Sequence, residues 1–253
     1  MKKLSAPVIV VSVLVGVPLM GAPPAGAATR PSVVSHRGYT HTGCTENTVC
    51  AFRSAAAHDA DYVEMDVRFT RTDLPVIMHD STVGRVTTGH GRVSAMTQSR
   101  FTGLRTNDGG HPATLWAALH AAKKGGVRAL VELKTNPTAK QWKWLLKKIP
   151  SGYRSKIVMQ SFSAKAAWAA RRHGFPTFRL LTYATTASWA YQYDGEAAPY
   201  TDLTKGGVAK LHKHGVNVSA WTVNDSDWWP RLDSMGVDQI VTDASPRRVK
   251  AVL

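Results

Sequence analysis

The chain has 253 residues, with 32 lysines and arginines against 17 aspartates and glutamates, a formal charge of +15. That length suits one sizeable domain and is short for two. The charge favours anionic partners such as phosphates, cell-wall polymers or acidic lipid surfaces. The basic residues are scattered in pairs such as Lys123-Lys124 and Arg171-Arg172, with no single stripe and no interleaved aromatics, so nucleic acid is not expected.

Residues 1–27 read as a secretory signal. Lys2 and Lys3 give a positive start, Val8 to Met20 is an apolar run too short to span as a stable membrane helix, and Ala25-Gly26-Ala27 offers a small-residue cleavage site. The protein is therefore expected to be secreted, with residues 28–253 as its one domain and a charge of +13 once Lys2 and Lys3 are lost. No later apolar run is long enough to cross a membrane. Cys44 and Cys50 are the two cysteines, and a secreted chain with two usually pairs them. In the chain-entropy model such a tight loop adds about 2–3 kcal/mol. A zinc site is not favoured, because nearby His41 alone does not complete a ligand set.

From residue 32 onward, short apolar runs alternate with helical ones. Strands are expected over 32–36, 62–70, 75–79, 128–133, 155–161, 178–183, 217–223 and 239–242. Helices are expected over 48–58, 113–124, 140–149, 163–173, 204–214, 226–235 and 246–252, several closed by a glycine just past the end. Eight strands alternating with helices imply an α/β fold, a parallel sheet closed as a single-domain (β/α)8 TIM-type barrel; a doubly wound open sheet is the alternative. Residues 81–112, rich in Gly, Thr and Ser, fit neither element and read as a long loop over one end.

The second strand carries the informative anomaly. Tyr62, Val63, Met65, Val67 and Phe69 are strand formers, yet Glu64 and Asp66 sit among them, two apart and therefore on one face. On a wet edge strand they would mean nothing. In a buried strand they need positive charge between them, and a divalent cation is the simplest source. Other strand ends add to this: His36-Arg37-Gly38, His79-Asp80, Glu132 with Lys134, Trp221-Thr222-Val223-Asn224 and Thr242-Asp243. In a parallel barrel these share the carboxyl end, where chemistry is done. Glu64, Asp66 and Glu132 make an oxygen-only set that suits Ca²⁺ or Mg²⁺ and not zinc. Arg37 and Lys134 add fixed positive charge for a phosphoryl group. Two histidines, His36 and His79, can divide proton removal and proton donation. The residues alone thus point to metal-assisted cleavage of a phosphate ester, with the ester unspecified.

The ordered set Ser35-His36-Arg37-Gly38, Glu46-Asn47-Thr48, Glu64-Met65-Asp66-Val67, His79-Asp80, Gly89-His90-Gly91, Val131-Glu132-Leu133-Lys134, Ser161-Phe162, Trp221-Thr222-Val223-Asn224 and Asp238 to Asp243 resembles the glycerophosphodiester phosphodiesterases, in the secreted bacterial form. The resemblance implies a TIM-type barrel with a divalent metal, Ca²⁺ ahead of Mg²⁺, on Glu64, Asp66 and Glu132. It implies an acid–base pair in His36 and His79 and phosphate binding by Arg37 and Lys134. Glu46, Asn47 and Trp221 match motif positions near the site and are given support roles. The expected reaction takes a glycerophosphodiester and water to sn-glycerol 3-phosphate and an alcohol. Two other functions compete: a phospholipase D-like enzyme acting on lysophospholipid or sphingomyelin, and a non-catalytic barrel binding an anionic polymer. Cys44 and Cys50 depart from the general pattern by bracketing Glu46-Asn47-Thr48. Residues 184–203 match no motif, and Trp189, Tyr191, Tyr193 and Tyr200 there are expected to pack on the barrel rim rather than line a pocket.

Overall fold

Short, largely buried apolar runs form the sheet, and the intervening helices cover it. The computed structural model describes residues 30–253; the signal expected over residues 1–27 lies outside them. The strands are β1 (Ser32–Ser35), β2 (Tyr62–Phe69), β3 (Pro75–Ile77), β4 (Arg128–Leu133), β5 (Ile157–Ser161), β6 (Thr177–Leu180), β7 (Gly195–Pro199), β8 (Asn217–Trp221) and β9 (Gln239–Thr242). All but β3 are parallel, in the order β1-β9-β8-β7-β6-β5-β4-β2. β1 pairs back onto β2, with Val34 opposite Tyr62, and this closes an eight-stranded barrel.

The helices are α1 (Val49–Ala57), α2 (Gln98–Thr102), α3 (Leu115–Lys124), α4 (Ala139–Lys147), α5 (Ala164–Arg172), α6 (Lys205–His212), α7 (Trp228–Met235) and α8 (Pro246–Lys250). Their starts follow from side-chain chemistry. Thr48, Thr97, Thr114, Thr138, Ser163 and Thr204 each accept a backbone N–H from the first turn, a cap worth about 1 kcal/mol. The outward strand faces pack on these helices: Met65, Val67 and Met159 with Phe52, Leu119 and Leu145 on one side, and Val218 and Ile240 with Trp229 and Leu232 on the other. The bore is filled by Val34, Leu130, Val158, Phe178, Ala197 and Val241. Gly195 leaves room for Phe178, because a Cβ there would lie 2.5 Å from that ring.

The sheet departs from expectation at two strands. Residues 75–79 do not form a barrel strand; β3 is a three-residue antiparallel partner of β2, with Val67 opposite Ile77. A parallel strand needs a long crossover, and the few residues between Phe69 and Pro75 allow only a tight turn, with Asp73 at φ 64°. The eighth barrel strand is instead β7, inside the 184–203 stretch that matched no motif. Its Gly-Glu-Ala-Ala-Pro sequence carries little strand propensity, and the 3₁₀ turn Ser188–Gln192 stands where a helix would cross. The 81–112 loop folds back on its own small core of Val83, Val86, Val93, Met96 and Phe101, packed on Val76 and Met78. Among the described residues no helix is long and apolar enough to cross a membrane.

Candidate active site

The carboxyl ends of the barrel strands meet around a cavity of about 120 Å³, whose walls include His36, Arg37, Glu64, His79, Glu132 and Lys134. Strand register explains the acidic floor. Glu64 and Asp66 point into the bore from β2, and Asp66 lies opposite Glu132 of β4. The three carboxylates can each bring an oxygen within 4.8 Å of the others. Glu64 and Asp66 are each 1% exposed.

Two cations hold this cluster. The Lys134 ammonium lies 2.7 Å from Glu132 and 3.4 Å from Asp66, and Arg37 Nε lies 3.6 Å from Asp66. Arg37 sits just past β1 at φ 56°, and its backbone N–H donates to Glu64 Oε2 at 2.9 Å. Gly38 follows at φ 83°, where a side chain would strike the Ala51 backbone at 2.7 Å. Asn47, also at positive φ, donates to Asp66 Oδ2 at 2.7 Å and accepts the Asp66 backbone N–H. Glu46 accepts from Arg37 Nη1 at 3.1 Å. The Cys44–Cys50 disulfide, with Cα atoms 5.5 Å apart, brackets this Glu-Asn-Thr segment.

The charge count bears on metal binding. Burial, then the neighbouring carboxylates, push Glu64 well above the ordinary carboxylate range. Glu132 is raised by the same two causes, against the pull of Lys134. With all three carboxylates ionised, two cations would leave one buried negative charge in excess, and Glu64 Oε1 is buried with no hydrogen-bond partner. An all-oxygen set with an unpartnered ligand atom fits a hard divalent cation. Such an ion would turn the excess into one positive charge, which a phosphodiester monoanion would neutralise.

The histidines stand at the same cavity, each braced by an aspartate. His36 Nδ1 is 2.8 Å from Asp243 Oδ1, and His79 Nδ1 is 2.7 Å from Asp80 Oδ1. A carboxylate only accepts, so each Nδ1 carries the hydrogen and each Nε2 is left free. Asp243 is held by the Asn224 side chain at 2.7 Å. Although burial pushes the other way, the His36 and Asn224 contacts keep its carboxyl below the usual range. The His79 carbonyl accepts from Arg68, which fixes the residue after β3. Burial holds the His79 imidazole below its ordinary value, despite the nearby Asp66 and Asp80.

The opposite wall is apolar. Leu180, Val241 and Trp221 line it, and Phe162, 41% exposed, stands edge-on to Trp221 at 5.7 Å. Trp189, Tyr191, Tyr193 and Tyr200 do not line the cavity; Tyr193 is buried, Tyr191 stacks on His214 and Tyr200 meets Trp228. All seven residues singled out as catalytic, phosphate-binding or metal-binding come together. The sequence reading assigned no role to Asp243, Asp80, Arg85 or Gln160. Asp80 had a signal in its adjacency to His79, whereas Asp243 is 207 positions from its partner.

A Mycobacterium tuberculosis protein named as a probable glycerophosphodiester phosphodiesterase 1 is 30% identical, over 89% of this chain and 93% of its own. The glycerophosphodiester phosphodiesterase of Caldanaerobacter subterraneus is 26% identical, over 83% and 93%. Among solved structures, an Oleispira antarctica phosphodiesterase in complex with the product sn-glycerol-3-phosphate superposes with a TM-score of 0.78 at 21% identity, covering 88% of this chain and 96% of that one. The pattern of the Glycerophosphoryl diester phosphodiesterase family runs through residues 36–246, and the chain belongs to that family.

Proposed function

We propose that this protein is a secreted, divalent-metal-dependent hydrolase that converts glycerophosphodiesters to sn-glycerol 3-phosphate and an alcohol. The observation that carries the reading is the convergence of two aspartate-braced histidines on one cavity with the acidic trio and two cations. Glu64, Asp66 and Glu132 would hold the cation, Ca²⁺ ahead of Mg²⁺. When bound, it supplies positive charge for the phosphoryl oxygens. Arg37 and Lys134 bind and orient the phosphate through charge-assisted hydrogen bonds. His79, uncharged through burial, takes the proton from the attacking oxygen at Nε2. His36, held at Nδ1 by Asp243, gives its Nε2 proton to the leaving oxygen as the P–O bond breaks. Asn47 and Glu46 keep Asp66 and Arg37 in place.

Secretion is supported by the signal-like residues 1–27 and by the Cys44–Cys50 bridge, which suits an oxidising compartment. The basic surface would favour contact with anionic cell-wall polymer or lipid.

The apolar wall of Phe162, Leu180, Trp221 and Val241 supports a second substrate class, lysophospholipids cleaved on the alcohol side. One assay tests both. The protein is stripped with chelator, Ca²⁺ or Mg²⁺ is restored, and glycerophosphocholine and lysophosphatidylcholine are offered, with His36→Ala as control. Glycerol 3-phosphate formed only with metal and lost in the variant is the expected result. Turnover of the lysolipid alone transfers the proposal to the second class. No turnover of either by folded, metal-loaded protein rejects the hydrolase and favours a polymer-binding barrel.

A further inference from the structure

Arg85 lies in the 81–112 loop and does not line the cavity, yet three acidic oxygens converge on it. Its Nη1 and Nη2 donate to Glu46 Oε2 and Oε1 at 2.9 and 2.7 Å, and its Nε donates to Asp80 Oδ2 at 2.5 Å. The other oxygen of Asp80 takes His79, and Glu46 also accepts from Arg37. A hydrogen-bonded line therefore runs from His79 to Arg37 through Arg85.

The loop is built to hold that guanidinium. Val83 and Val86 on either side are buried in the loop's own core, and the Arg85 carbonyl accepts from the Asn107 side chain at 3.1 Å. Asp108 of the same loop accepts the Thr45 backbone N–H at 2.9 Å, which docks the loop beside Glu46. The Arg85 side chain is 47% exposed, so a lone ion pair there would contribute little. A fork that grips two acids from a fixed backbone is a different case, because it sets geometry as well as charge.

We propose that Arg85 is a positioning residue, which holds the His79–Asp80 pair and the phosphate-binding Arg37 in one frame and moderates the pull of Asp80 on a His79 proton. The inference rests on the roles given above to His79 and Arg37. The charged and titratable groups around His79 are Asp80 and Arg85 from its own loop, Glu64 and Asp66 from β2, Glu132 of β4 with Lys134 beyond it, and His36 and Arg37 beyond β1, with Arg68 at its carbonyl. Arg85→Met leaves all of these but itself, and exposes His79 to the full charge of Asp80.

The test uses Arg85→Met and Arg85→Lys. His79 is titrated by NMR in the metal-free protein, its signal assigned by loss in His79→Gln, and the pH dependence of kcat/KM on glycerophosphocholine is measured with metal. Arg85→Met should raise the His79 midpoint by about one pH unit and move the acid limb of kcat/KM with it. Its kcat should fall roughly tenfold to a hundredfold. Arg85→Lys keeps the charge but cannot grip both acids with one fork, so its midpoint should stay near wild type while kcat still falls. An unmoved His79 midpoint in folded Arg85→Met overturns the electrostatic part, and wild-type kcat in both variants overturns the positioning part. If the wild-type protein hydrolyses no glycerophosphodiester, the functional reading fails while the NMR titration still decides the coupling. Should Arg85→Met not fold, an unreduced kcat in Arg85→Lys overturns the inference, and the expected fall in kcat sustains it.

Discussion

The two histidine–aspartate pairs face one cavity but are built from different materials. His79 and Asp80 are neighbours in the chain, and the second oxygen of Asp80 is engaged by the cation Arg85. His36 and Asp243 stand at the ends of β1 and β9, and the second oxygen of Asp243 takes only the neutral amide of Asn224. One dyad therefore has a cation hydrogen-bonded behind its aspartate and the other a neutral amide. A compensated aspartate orients an imidazole while pulling less strongly on its proton, which suits a base. An aspartate backed by a neutral amide keeps its full charge for the ring it holds, which suits an acid.

The largest expected effects come from removing either ring. His36→Ala and His79→Ala should each lower kcat by roughly 10²–10⁴-fold. The double variant should be little worse than the singles, because in the proposed reaction the two act in one step. A single variant that keeps more than half of wild-type kcat would remove that histidine from the chemistry.

The aspartates come next and separate the dyads. Asp243→Asn takes away the carboxylate that holds the His36 Nδ1 hydrogen, so a loss of about 10²-fold is expected. Asp80→Asn removes a charge that Arg85 already counters, and about tenfold is expected. Equal losses, or the reverse order, would break the comparison.

A shift in pH dependence is smaller but carries a sign. His79 must be unprotonated to act as base, and burial keeps its pKa below 6.5. The acid limb of kcat/KM should therefore have its midpoint below pH 6.5. The Asp80 contact works to raise that pKa, so Asp80→Asn should move the limb to lower pH, whereas Arg85→Met should move it higher. Two variants of one ion pair that shift a profile in opposite directions are hard to explain by general destabilisation. Shifts in the same direction would dispose of the assignment.

The same contrast decides what could be read from the sequence. Glu64, Asp66, Glu132 and Lys134 were legible because spacing by two on a strand fixes a common face, whatever the register. His79 was legible as a strand-end residue even though its strand was misplaced, since the β2–β3 turn brings it to the same end as a barrel strand would. Asp243 was visible at a strand end, but its partnership with His36 depends on β1 closing against β9, a contact no local pattern encodes. Strand β7 was missed because Gly195, Ala197 and Ala198 were chosen by space inside the wall and not by strand propensity. Arg85 gave no signal, because its loop has no periodicity and its partners come from two other segments.

A third acid extends the comparison to a carboxylate with neither histidine nor cation. Glu196 on β7 is 1% exposed; one oxygen accepts the Thr185 backbone N–H at 2.9 Å and the other has no partner. Burial pushes its pKa up to about 7, against 4.5 for an ordinary glutamate. A carboxyl raised on folding binds its proton more tightly in the native state. The stability it lends is thus complete below about pH 4.5 and is lost as pH rises through 7. Glu196→Gln abolishes that loss while keeping the acceptor for Thr185. The variant and wild type should melt together near pH 4, and by pH 8 the variant should be more stable by up to about 3 kcal/mol, several degrees in Tm for a domain of this size. Its kcat should be unchanged, since Glu196 does not line the cavity. If the two melting curves stay parallel from pH 4 to 8, Glu196 keeps an ordinary pKa in solution, and burial alone does not set the behaviour of an unpartnered acid in this barrel.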